Sequence, residues 1–361
     1  MSGISFPEKI TPFLRSKMES IAKNKGENSQ GYKALYIQYV HDEREDVESE
    51  ESNLKHYDAA LSAVDGNEFI PGLERFYRRS MVVEPTMVCV AHCRYCLRAN
   101  YDKHTLSEKQ MVEVAQLCGN EHNRKYLREI LVTGGDPLII PKRLLFLVEA
   151  MEEYAPNVKI IRFATRIPTQ DPARIDDDAV RLFKPRASLR FEMATQINHP
   201  VELEFEETRE AFDKILAQGA RIYSQNVLLK NVNDDPMILV DLYDGLREMN
   251  IEAHYLFHPI PLAGTHHLRM PVEKGLQIAR KLTSCGYISG RAKPMYSLMT
   301  DIGKITLYHG SIIEKKGNHI LIDSGYTVDD RLTWNPTWQV PNSAVIAPDG
   351  RLMVWYLDGD A

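Results

Sequence analysis

The stretch Cys89-Val-Ala-His-Cys93-Arg-Tyr-Cys96 places three of the chain's five cysteines within eight residues. Gaps of three and two residues bring three thiols together on one short loop, and thiolates are the ligands that iron–sulfur clusters use. A full ligand set for a [4Fe–4S] cluster is four, so three cysteines leave one iron open to another ligand. An open coordination position is where a metal site carries out chemistry. The stretch therefore predicts a catalytic [4Fe–4S] cluster.

Zinc and a chance arrangement are the two alternatives to a cluster. Structural zinc usually takes four protein ligands in two separated pairs, and His92 is too close to its neighbours to complete such a set with good geometry. The other two cysteines, Cys118 and Cys285, fall on apolar faces of predicted helices, where buried and inert thiols are usual. The spacing favours a cluster over zinc.

Apolar, β-branched runs alternate with helical patterns on both sides of the cysteines. The predicted strands are residues 82–88, 129–133, 159–164, 187–193, 221–228 and 252–257. The predicted helices are residues 106–118, 142–154, 176–183, 206–218, 236–249 and 272–285. Because right-handed βα crossovers place such strands in one parallel sheet, the chain is predicted to be an α/β protein with a partial (βα)6 barrel. The chemistry of such a barrel lies at the C-terminal ends of its strands.

Three segments are predicted: an N-terminal helical extension (1–70), the partial barrel (71–290) and a β-rich C-terminal tail (291–361). An acidic run at residues 41–51 is interpreted as a solvated helix face or a linker. In the tail, short strands are predicted at 304–309, 319–323, 343–347 and 351–357, separated by turn signals. This tail would either cover the mouth of the barrel or form an oligomer interface.

Charge and hydropathy exclude several classes of protein. The formal charge is −6, from 44 basic and 50 acidic residues, and no block of lysine or arginine dominates. A binder of nucleic acid or of membrane surfaces is therefore disfavoured. No apolar run of about 18 residues predicts a membrane span, and the first seventeen residues lack the apolar core of a secretory signal. A cytoplasmic location is expected.

The three-cysteine stretch after the first strand of a partial βα barrel resembles the signature of the radical S-adenosylmethionine (SAM) superfamily. The resemblance implies that the open iron binds the amino and carboxylate groups of SAM. It also implies that electron transfer from the cluster cleaves SAM to a 5′-deoxyadenosyl radical, which takes a hydrogen atom from the substrate. The cofactor carries that chemistry, while the protein orients the reactants and excludes water.

Further motifs, from about residue 71 to about residue 310, resemble the lysine 2,3-aminomutase family. In chain order they are Pro71-Gly72-Leu73, Gly134-Gly135-Asp136, Thr165-Arg166-Ile167-Pro168, Asn198-His199-Pro200, Gln225 to Lys230 with Val232-Asn233-Asp234, and Gly264, His267, Arg269 and Pro271. Each motif alone is weak, but six in order, four of them at predicted strand ends, are specific. The family forms dimers or larger assemblies, so a homo-oligomer is expected.

The resemblance assigns roles to residues at the predicted strand ends. Gly134 and Gly135 would let the backbone approach a ligand closely. Asp136 would accept a charge-assisted hydrogen bond from the ammonium of SAM, with Arg166 and Gln225 as further SAM contacts. Arg98, two residues after the last cysteine, would bind the substrate carboxylate through its planar fork.

Family aminomutases also bind pyridoxal 5′-phosphate (PLP) through a lysine in a glycine-rich segment. Asp301-Ile302-Gly303-Lys304-Ile305-Thr306 occupies that place, so Lys304 is the candidate Schiff-base lysine. Two features depart from the family. The glycine run is shortened to one residue, and the family's two phosphate-binding arginines align with Phe76 and Ser80. The neighbouring residues Arg75, Arg78 and Arg79 could bind the phosphate instead.

The substrate is predicted to differ from lysine. The lysine-specific enzymes bind the distal ammonium of their substrate with two aspartates. The first falls within residues 258–262, which contain no acid, and the second falls near 298–301, where Asp301 is the one acidic residue. A buried ammonium without a carboxylate is costly. An apolar, aromatic or differently charged amino acid fits better.

Three functions remain open at this point. The first is a PLP-dependent radical SAM 2,3-aminomutase acting on a free α-amino acid, with a flavodoxin- or ferredoxin-type reductant. The second is a radical SAM enzyme without PLP that dehydrogenates, epimerises, eliminates from or otherwise modifies an amino-acid-like substrate. The third is a zinc-stabilised binding or scaffold protein.

Overall fold

The computed structural model describes residues 6–47, 49–50, 72–75, 77–99, 101, 103–284, 288–308 and 311–359. Cys285, Phe76 and Pro71, which the sequence analysis singled out, lie outside the described residues. No helix of the described residues is long and apolar enough to cross a membrane.

A curled nine-stranded sheet forms the body of the protein, and its strands follow one another in chain order. They are β1 (Leu73–Glu74), β2 (Ser80–Thr86), β3 (Glu129–Gly134), β4 (Ile160–Ala164), β5 (Arg190–Thr195), β6 (Arg221–Val227), β7 (Glu252–Phe257), β8 (Met295–Thr300) and β9 (Gly303–Thr306). Strands β2 to β8 pair in parallel, while β1 and β9 pair antiparallel at the two ends. The predicted α/β fold class with a partial parallel barrel is confirmed.

Helices connect the strands and cover the outside of the sheet. The described helices are α1 (Pro12–Lys25), α2 (Gln30–Tyr39), α3 (Glu108–Gly119), α4 (Glu121–Tyr126), α5 (Pro141–Tyr154), α6 (Ile167–Gln170), α7 (Asp177–Arg181), α8 (Glu206–Leu216), α9 (Pro236–Glu248), α10 (Val272–Ser284) and α11 (Val328–Trp334). Their apolar faces pack on strand residues such as Val83, Val132 and Ile161, all fully buried. Truncating Ile161 to alanine would destabilise the fold by about 2–5 kcal/mol.

The sheet contains a seventh parallel strand, β8, that the strand–helix rhythm did not predict. A tight turn at Asp301 and Ile302 follows β8 and leads directly into the antiparallel strand β9. Because no helix follows β8, the alternation that identifies βα units is lost at that point. Both strands come from the segment assigned to the C-terminal tail, so Lys304 on β9 belongs to the barrel sheet.

The rest of the C-terminal tail forms a second, antiparallel sheet in the order β10-β11-β13-β12. Its strands are β10 (Ile312–Lys316), β11 (His319–Thr327), β12 (Ala344–Ile346) and β13 (Arg351–Leu357). Ile320, Ile322 and Val354 belong to the same buried cluster as the barrel core. Arg269 Nη2 also donates to the Leu357 carbonyl at 2.6 Å. The second sheet is therefore packed onto the barrel.

Helices α1 and α2 pack beside the cysteine loop through a small apolar cluster that includes Leu14, Leu35 and Ala91. The acidic run that follows α2 was interpreted as a solvated face, and Glu43 and Asp46 are indeed exposed. Glu45 is the exception, because its side chain is 7% exposed and pairs with Arg94, whose side chain is fully buried. The run therefore contributes one buried carboxylate to the cysteine loop.

Candidate active site

A cavity of about 450 Å³ lies inside the curled sheet, and each of the nine strands contributes at least one lining residue. Cys89, Cys93 and Cys96 all line it, on the loop that follows β2. Lys304 lines the same cavity from β9. The structure therefore brings together the three cysteines and a lysine that is more than 200 residues away in the sequence.

The three thiols fit an iron–sulfur cluster better than a single metal ion. All three are free of disulfides. Burial and, to a smaller extent, the neighbouring Cys93 raise the pKa of Cys96 to about 11. Among the described residues, no three histidine, cysteine or acidic side chains converge on a point that could hold one ion. A cluster distributes its ligands over several irons, so this donor set fits a cluster and gives zinc no support.

Residues of the N-terminal segment contact the cysteine loop through hydrogen bonds, a ring stack and an ion pair. The Lys9 amine donates to the Cys89 carbonyl at 2.6 Å, and the His92 amide donates to the Lys9 carbonyl at 2.8 Å. The His92 ring stacks on Phe6 with centroids 4.6 Å apart. On the other side of the loop, Arg94 forms its ion pair with Glu45 and donates to the Phe6 carbonyl at 2.8 Å. Sequence analysis missed these contacts because they join segments about 50 to 90 residues apart.

Two side chains donate to the sulfur of Cys93. Arg166 Nη1 lies 2.9 Å from Cys93 Sγ, and Gln170 Nε2 lies 3.3 Å from it. The guanidinium of Arg166 is itself held by Glu202 at 2.8 Å and by Gln38 of α2 at 3.2 Å. Arg166 was predicted to contact SAM, and the structure places it in the cavity wall bonded to a candidate cluster ligand.

Gly134, the last residue of β3, and Gly135 pack against the chain that leads into the cysteine loop. Gly134 has a φ of +106°, and a Cβ there would lie 2.5 Å from the Thr86 carbonyl oxygen. A Cβ on Gly135 would lie 2.4 Å from the Val88 carbonyl oxygen. The Gly135 amide donates to Thr86 at 2.8 Å. The close approach predicted for a ligand is, in this structure, an approach to the backbone next to Cys89.

Asp136 joins the ends of β3 and β4. Its Oδ1 accepts from the Leu138 amide at 3.1 Å and from the Thr165 hydroxyl at 2.7 Å, and its Oδ2 accepts from the Arg166 amide at 2.8 Å. Burial raises the pKa of Asp136 to about 6, although these hydrogen bonds oppose the shift. Asp136 lines the cavity, and its carboxylate fixes the strand ends that surround the cysteines.

Arg98 and Gln225 also reach the cavity, as the resemblance implied. Arg98 lies between two carboxylates, with Nε bonded to Glu84 and Nη2 lying 3.1 Å from Glu74. A substrate carboxylate would therefore have to use the remaining N–H groups of Arg98. Gln225 lines the wall from β6.

Lys304 is a half-buried side chain that lines the cavity from β9. Its Nζ lies 4.3 Å from the ring centroid of Tyr255 and 5.1 Å from that of Phe257. Burial and, to a smaller extent, nearby Arg162 lower the pKa of Lys304 to about 8, while Glu129 opposes the shift. Within the described residues the amine has no hydrogen bond or ion pair. A buried amine that is partly neutral near pH 8 fits nucleophilic attack on an aldehyde.

The predicted replacement of the phosphate-binding arginines is not supported by the structure. Arg75 donates to the Asn123 side chain at 2.5 Å, Arg78 stacks on Tyr126 at 3.5 Å, and Arg79 is exposed. None of the three lines the cavity. Ser80 does line it and offers a hydroxyl. Lys304 is therefore well placed for the aldehyde of PLP. The phosphate of PLP would have to be bound by groups other than these three arginines.

The two positions predicted to recognise the far end of the substrate differ in placement. His258, Pro259 and Ile260, in the loop after β7, line the cavity. Asp301 is not among the lining residues, and its carboxylate accepts from Ser343 of the C-terminal tail at 2.8 Å. The wall next to Lys304 therefore receives no carboxylate from either position.

Comparison with known proteins gives the same superfamily as the cysteine motif. A family model described as the Radical SAM superfamily matches residues 83–242. Of the solved structures, a radical SAM methyltransferase from Sphaerobacter thermophilus has a TM-score of 0.46 and 19% identity, and the match covers 62% of this chain and 68% of that one.

Curated relatives narrow the comparison to aminomutases. The "Putative L-lysine 2,3-aminomutase" of Aquifex aeolicus is 32% identical over 274 residues, covering 74% of this chain and 73% of the relative. The L-lysine 2,3-aminomutase of Methanococcus maripaludis is 29% identical over 81% of this chain and 63% of the relative. The glutamate 2,3-aminomutase of Clostridioides difficile is 27% identical over 69% of this chain and 58% of the relative. The chain thus spans less than two thirds of the length of the last two.

Proposed function

The chain belongs to the lysine 2,3-aminomutase family of the radical SAM superfamily, and on that premise we propose that it is a radical SAM 2,3-aminomutase. It would move the α-amino group of a free amino acid other than lysine to the β-carbon. The observation that carries the proposal is the placement of Lys304 and the three cysteines in one cavity. A radical enzyme that also handles an amino group needs both within reach of one small substrate.

Cys89, Cys93 and Cys96 would hold a [4Fe–4S] cluster with SAM at the open iron. With an electron from a flavodoxin- or ferredoxin-type protein, these groups would supply a 5′-deoxyadenosyl radical able to remove a hydrogen atom from the substrate. The chain's own residues hold the site in shape. Gly134 and Gly135 dock the cysteine loop, and the buried walls of the cavity exclude water from a reactive intermediate.

Lys304 would hold PLP through its amine. When bound, this cofactor supplies a conjugated π-system that accepts the migrating amino group and stabilises the neighbouring radical. The rings of Tyr255 and Phe257 lie against the Lys304 amine and limit its solvation, so that a neutral, nucleophilic form exists near neutral pH. Ser80 and Tyr77 line the same cavity and offer hydroxyl groups for the phosphate.

Arg98 would orient the substrate carboxylate. Glu74 and Glu84 fix the direction of its guanidinium, because they hold two of its three nitrogens. The third nitrogen is the one through which a carboxylate would bind. We also propose that the protein works as a homo-oligomer.

A PLP-independent radical SAM enzyme is the second candidate. The observation that favours it is the position of Arg75, Arg78 and Arg79 outside the cavity, since a phosphate dianion is usually bound by such groups. Such an enzyme would modify an amino-acid-like substrate without moving its amino group.

An anaerobic assay separates the two candidates. The protein is reconstituted with iron and sulfide, supplied with SAM, PLP and dithionite, and tested against a panel of amino acids for 5′-deoxyadenosine and β-amino acid. A parallel sample is reduced with borohydride and its peptides are mapped. Aminomutation predicts a pyridoxyl adduct on Lys304, and loss of product and adduct in Lys304→Ala.

The matched control is Lys142→Ala, a lysine whose side chain is 80% exposed. This variant should keep both adduct and product. Formation of 5′-deoxyadenosine that persists in Lys304→Ala, without amino migration in the wild type, would favour the second candidate and exclude the first.

A further inference from the structure

Aromatic and apolar side chains lie against Lys304, and the ion pair of Arg162 with Glu129 is also nearby. Strands β8 and β9 pair with Met299 directly opposite Lys304, so the two side chains lie on the same face of the sheet. Phe257 and Tyr255 lie beneath the amine. Any molecule held at Lys304 therefore has these three side chains among its neighbours.

The apolar surface continues into the loop after β7. Pro259 and Ile260 follow Phe257 in the chain and line the cavity, as does Met299 from β8. His258 is the one polar side chain of this stretch. Its Nδ1 is 2.8 Å from the Tyr296 hydroxyl, and burial lowers the pKa of His258, so the ring is neutral. This wall, formed by Phe257, Pro259, Ile260 and Met299, is called the apolar wall below.

The three arginines that line the cavity are paired with carboxylates, and Asp136, which also lines it, accepts three hydrogen bonds. Arg98 pairs with Glu74 at 3.1 Å, Arg162 with Glu129 at 3.2 Å, and Arg166 with Glu202 at 2.8 Å. A charged side chain of a substrate would have to break one of these pairs or remain unpaired. Either outcome is costly inside a buried cavity.

We infer that the substrate is an α-amino acid with an apolar, uncharged side chain, and that the apolar wall selects it. The inference rests on the proposed function, because it takes the amino group to be held at the Lys304 end of the cavity. Leucine and methionine are the probes of this class, and lysine and glutamate are the probes that the apolar wall should reject.

Binding is measured on protein loaded with PLP, without SAM, as the change in cofactor absorbance when an amino acid is added. This readout needs no radical chemistry. We expect leucine or methionine to bind at least about 30-fold more tightly than lysine or glutamate, because a buried charge without a partner is costly. Turnover of the same amino acids is measured in parallel with SAM and dithionite.

Ile260→Asp tests the apolar wall itself. The new carboxylate should improve lysine binding by about 10-fold and weaken leucine binding, as expected for a buried charge that gains a partner. Ile260→Asn has the same shape without the charge. It should weaken leucine binding and leave lysine binding unimproved. Thermal unfolding of both variants shows whether the fold is retained.

The outcomes separate this inference from the proposed function. If the apolar amino acids bind more tightly but no amino group moves, the substrate class holds and the aminomutase proposal fails. If glutamate binds as tightly as leucine and is converted, the aminomutase proposal holds and the inference is wrong. If no amino acid of either class perturbs the cofactor, both are wrong.

Discussion

Among the residues that the structure describes, the polar groups around the cysteines are hydrogen-bonded, whereas the Lys304 amine is not. At the cysteine end, Cys93 receives two hydrogen bonds, and Arg166 behind it is held by Glu202 and Gln38. At the Lys304 end, the amine lies against aromatic rings, with no polar partner in the described part of the chain. The cysteine end is fixed before any ligand arrives, whereas the Lys304 end leaves a reactive group available.

The motifs that resemble the family do not cover the whole cavity wall. The glycine pair, Asp136 and the segment around Arg166 lie near the cysteines and belong to these motifs. The departures, at Ser80 and in the loop of Pro259 and Ile260, also line the cavity. We therefore expect the surroundings of the cysteines to be common to the family and these lining residues to be particular to this chain.

Removing a cysteine should have the largest effect. Cys93→Ala takes away one of three cluster ligands, so we expect iron and sulfide content after reconstitution to fall and SAM cleavage to drop to background. Cys118→Ala is the matched control, because Cys118 is fully buried in the core and does not line the cavity. Full iron content in Cys93→Ala, or loss of iron in Cys118→Ala, would contradict the assignment of the cluster.

The buried ion pair at the cysteine end should dominate the contribution of the N-terminal segment to stability. Glu45→Gln leaves the buried Arg94 without a carboxylate, so we expect the free energy of unfolding to fall by about 3–5 kcal/mol. Glu204→Gln removes the exposed pair with Lys25 and should cost less than about 1 kcal/mol. Urea unfolding of the cluster-free protein measures both. Equal losses would show that the N-terminal segment does not hold the loop.

The reactivity of Lys304 should follow its lowered pKa. The folded protein's amine titrates at about 8 instead of 10.5, so its neutral fraction falls about tenfold per pH unit below pH 8. Trapping of PLP on Lys304 by borohydride should slow by the same factor. Between pH 8 and 10.5 the Lys304 amine binds more protons in the unfolded chain than in the folded protein. The contribution of this amine to the free energy of unfolding therefore increases with pH, which stabilises the folded protein.

The reference is trapping on Lys304 in urea-unfolded protein, where the amine should titrate like an ordinary lysine at about 10.4. Glu129→Gln should move the folded midpoint below that of the wild type, because Glu129 is the group that raises it. A folded midpoint at the unfolded value would show that the Lys304 end is open to water.

The hydrogen bonds to Cys93 should have the smallest effect. Hydrogen bonds to cluster sulfurs raise the reduction potential. Gln170→Leu should therefore lower the potential of the reconstituted cluster by an amount on the order of tens of millivolts, with iron content unchanged. Gln277→Leu, an exposed change on α10, is the control. The reduction potentials of the two variants are measured by potentiometry without SAM. Equal potentials would show that Gln170 does not contact a cluster ligand.

The sequence predicted the parts of the structure that depend on local pattern. Strands β3, β4, β6 and β7 lie where β-branched runs were found, and the loop from Cys89 to Cys96 follows β2. Strand β8 was missed because a turn, and not a helix, follows it. The alternation of strands and helices therefore ends one strand before the parallel sheet does. The pattern identifies βα units and cannot identify a parallel strand that lacks its helix.

Contacts between distant segments could not be predicted. Glu45 belongs to an acidic run in which Glu43 and Asp46 are exposed, and nothing in the sequence of the run shows that Glu45 pairs with an arginine 49 residues away. Arg75 and Arg78 are adjacent to the predicted phosphate position, but their side chains turn to Asn123 and Tyr126. The sequence shows that arginines are adjacent to this position, but it does not show where their side chains point.

The account rests on one cavity in which the cluster and Lys304 act on the same amino acid. The most direct measurement uses a perdeuterated sample of the amino acid that best supports turnover, with mass spectrometry of 5′-deoxyadenosine and of the amino acid product. The account predicts deuterium in 5′-deoxyadenosine together with a β-amino acid, and neither in Lys304→Ala. Deuterium-free 5′-deoxyadenosine and an unchanged amino acid would contradict it.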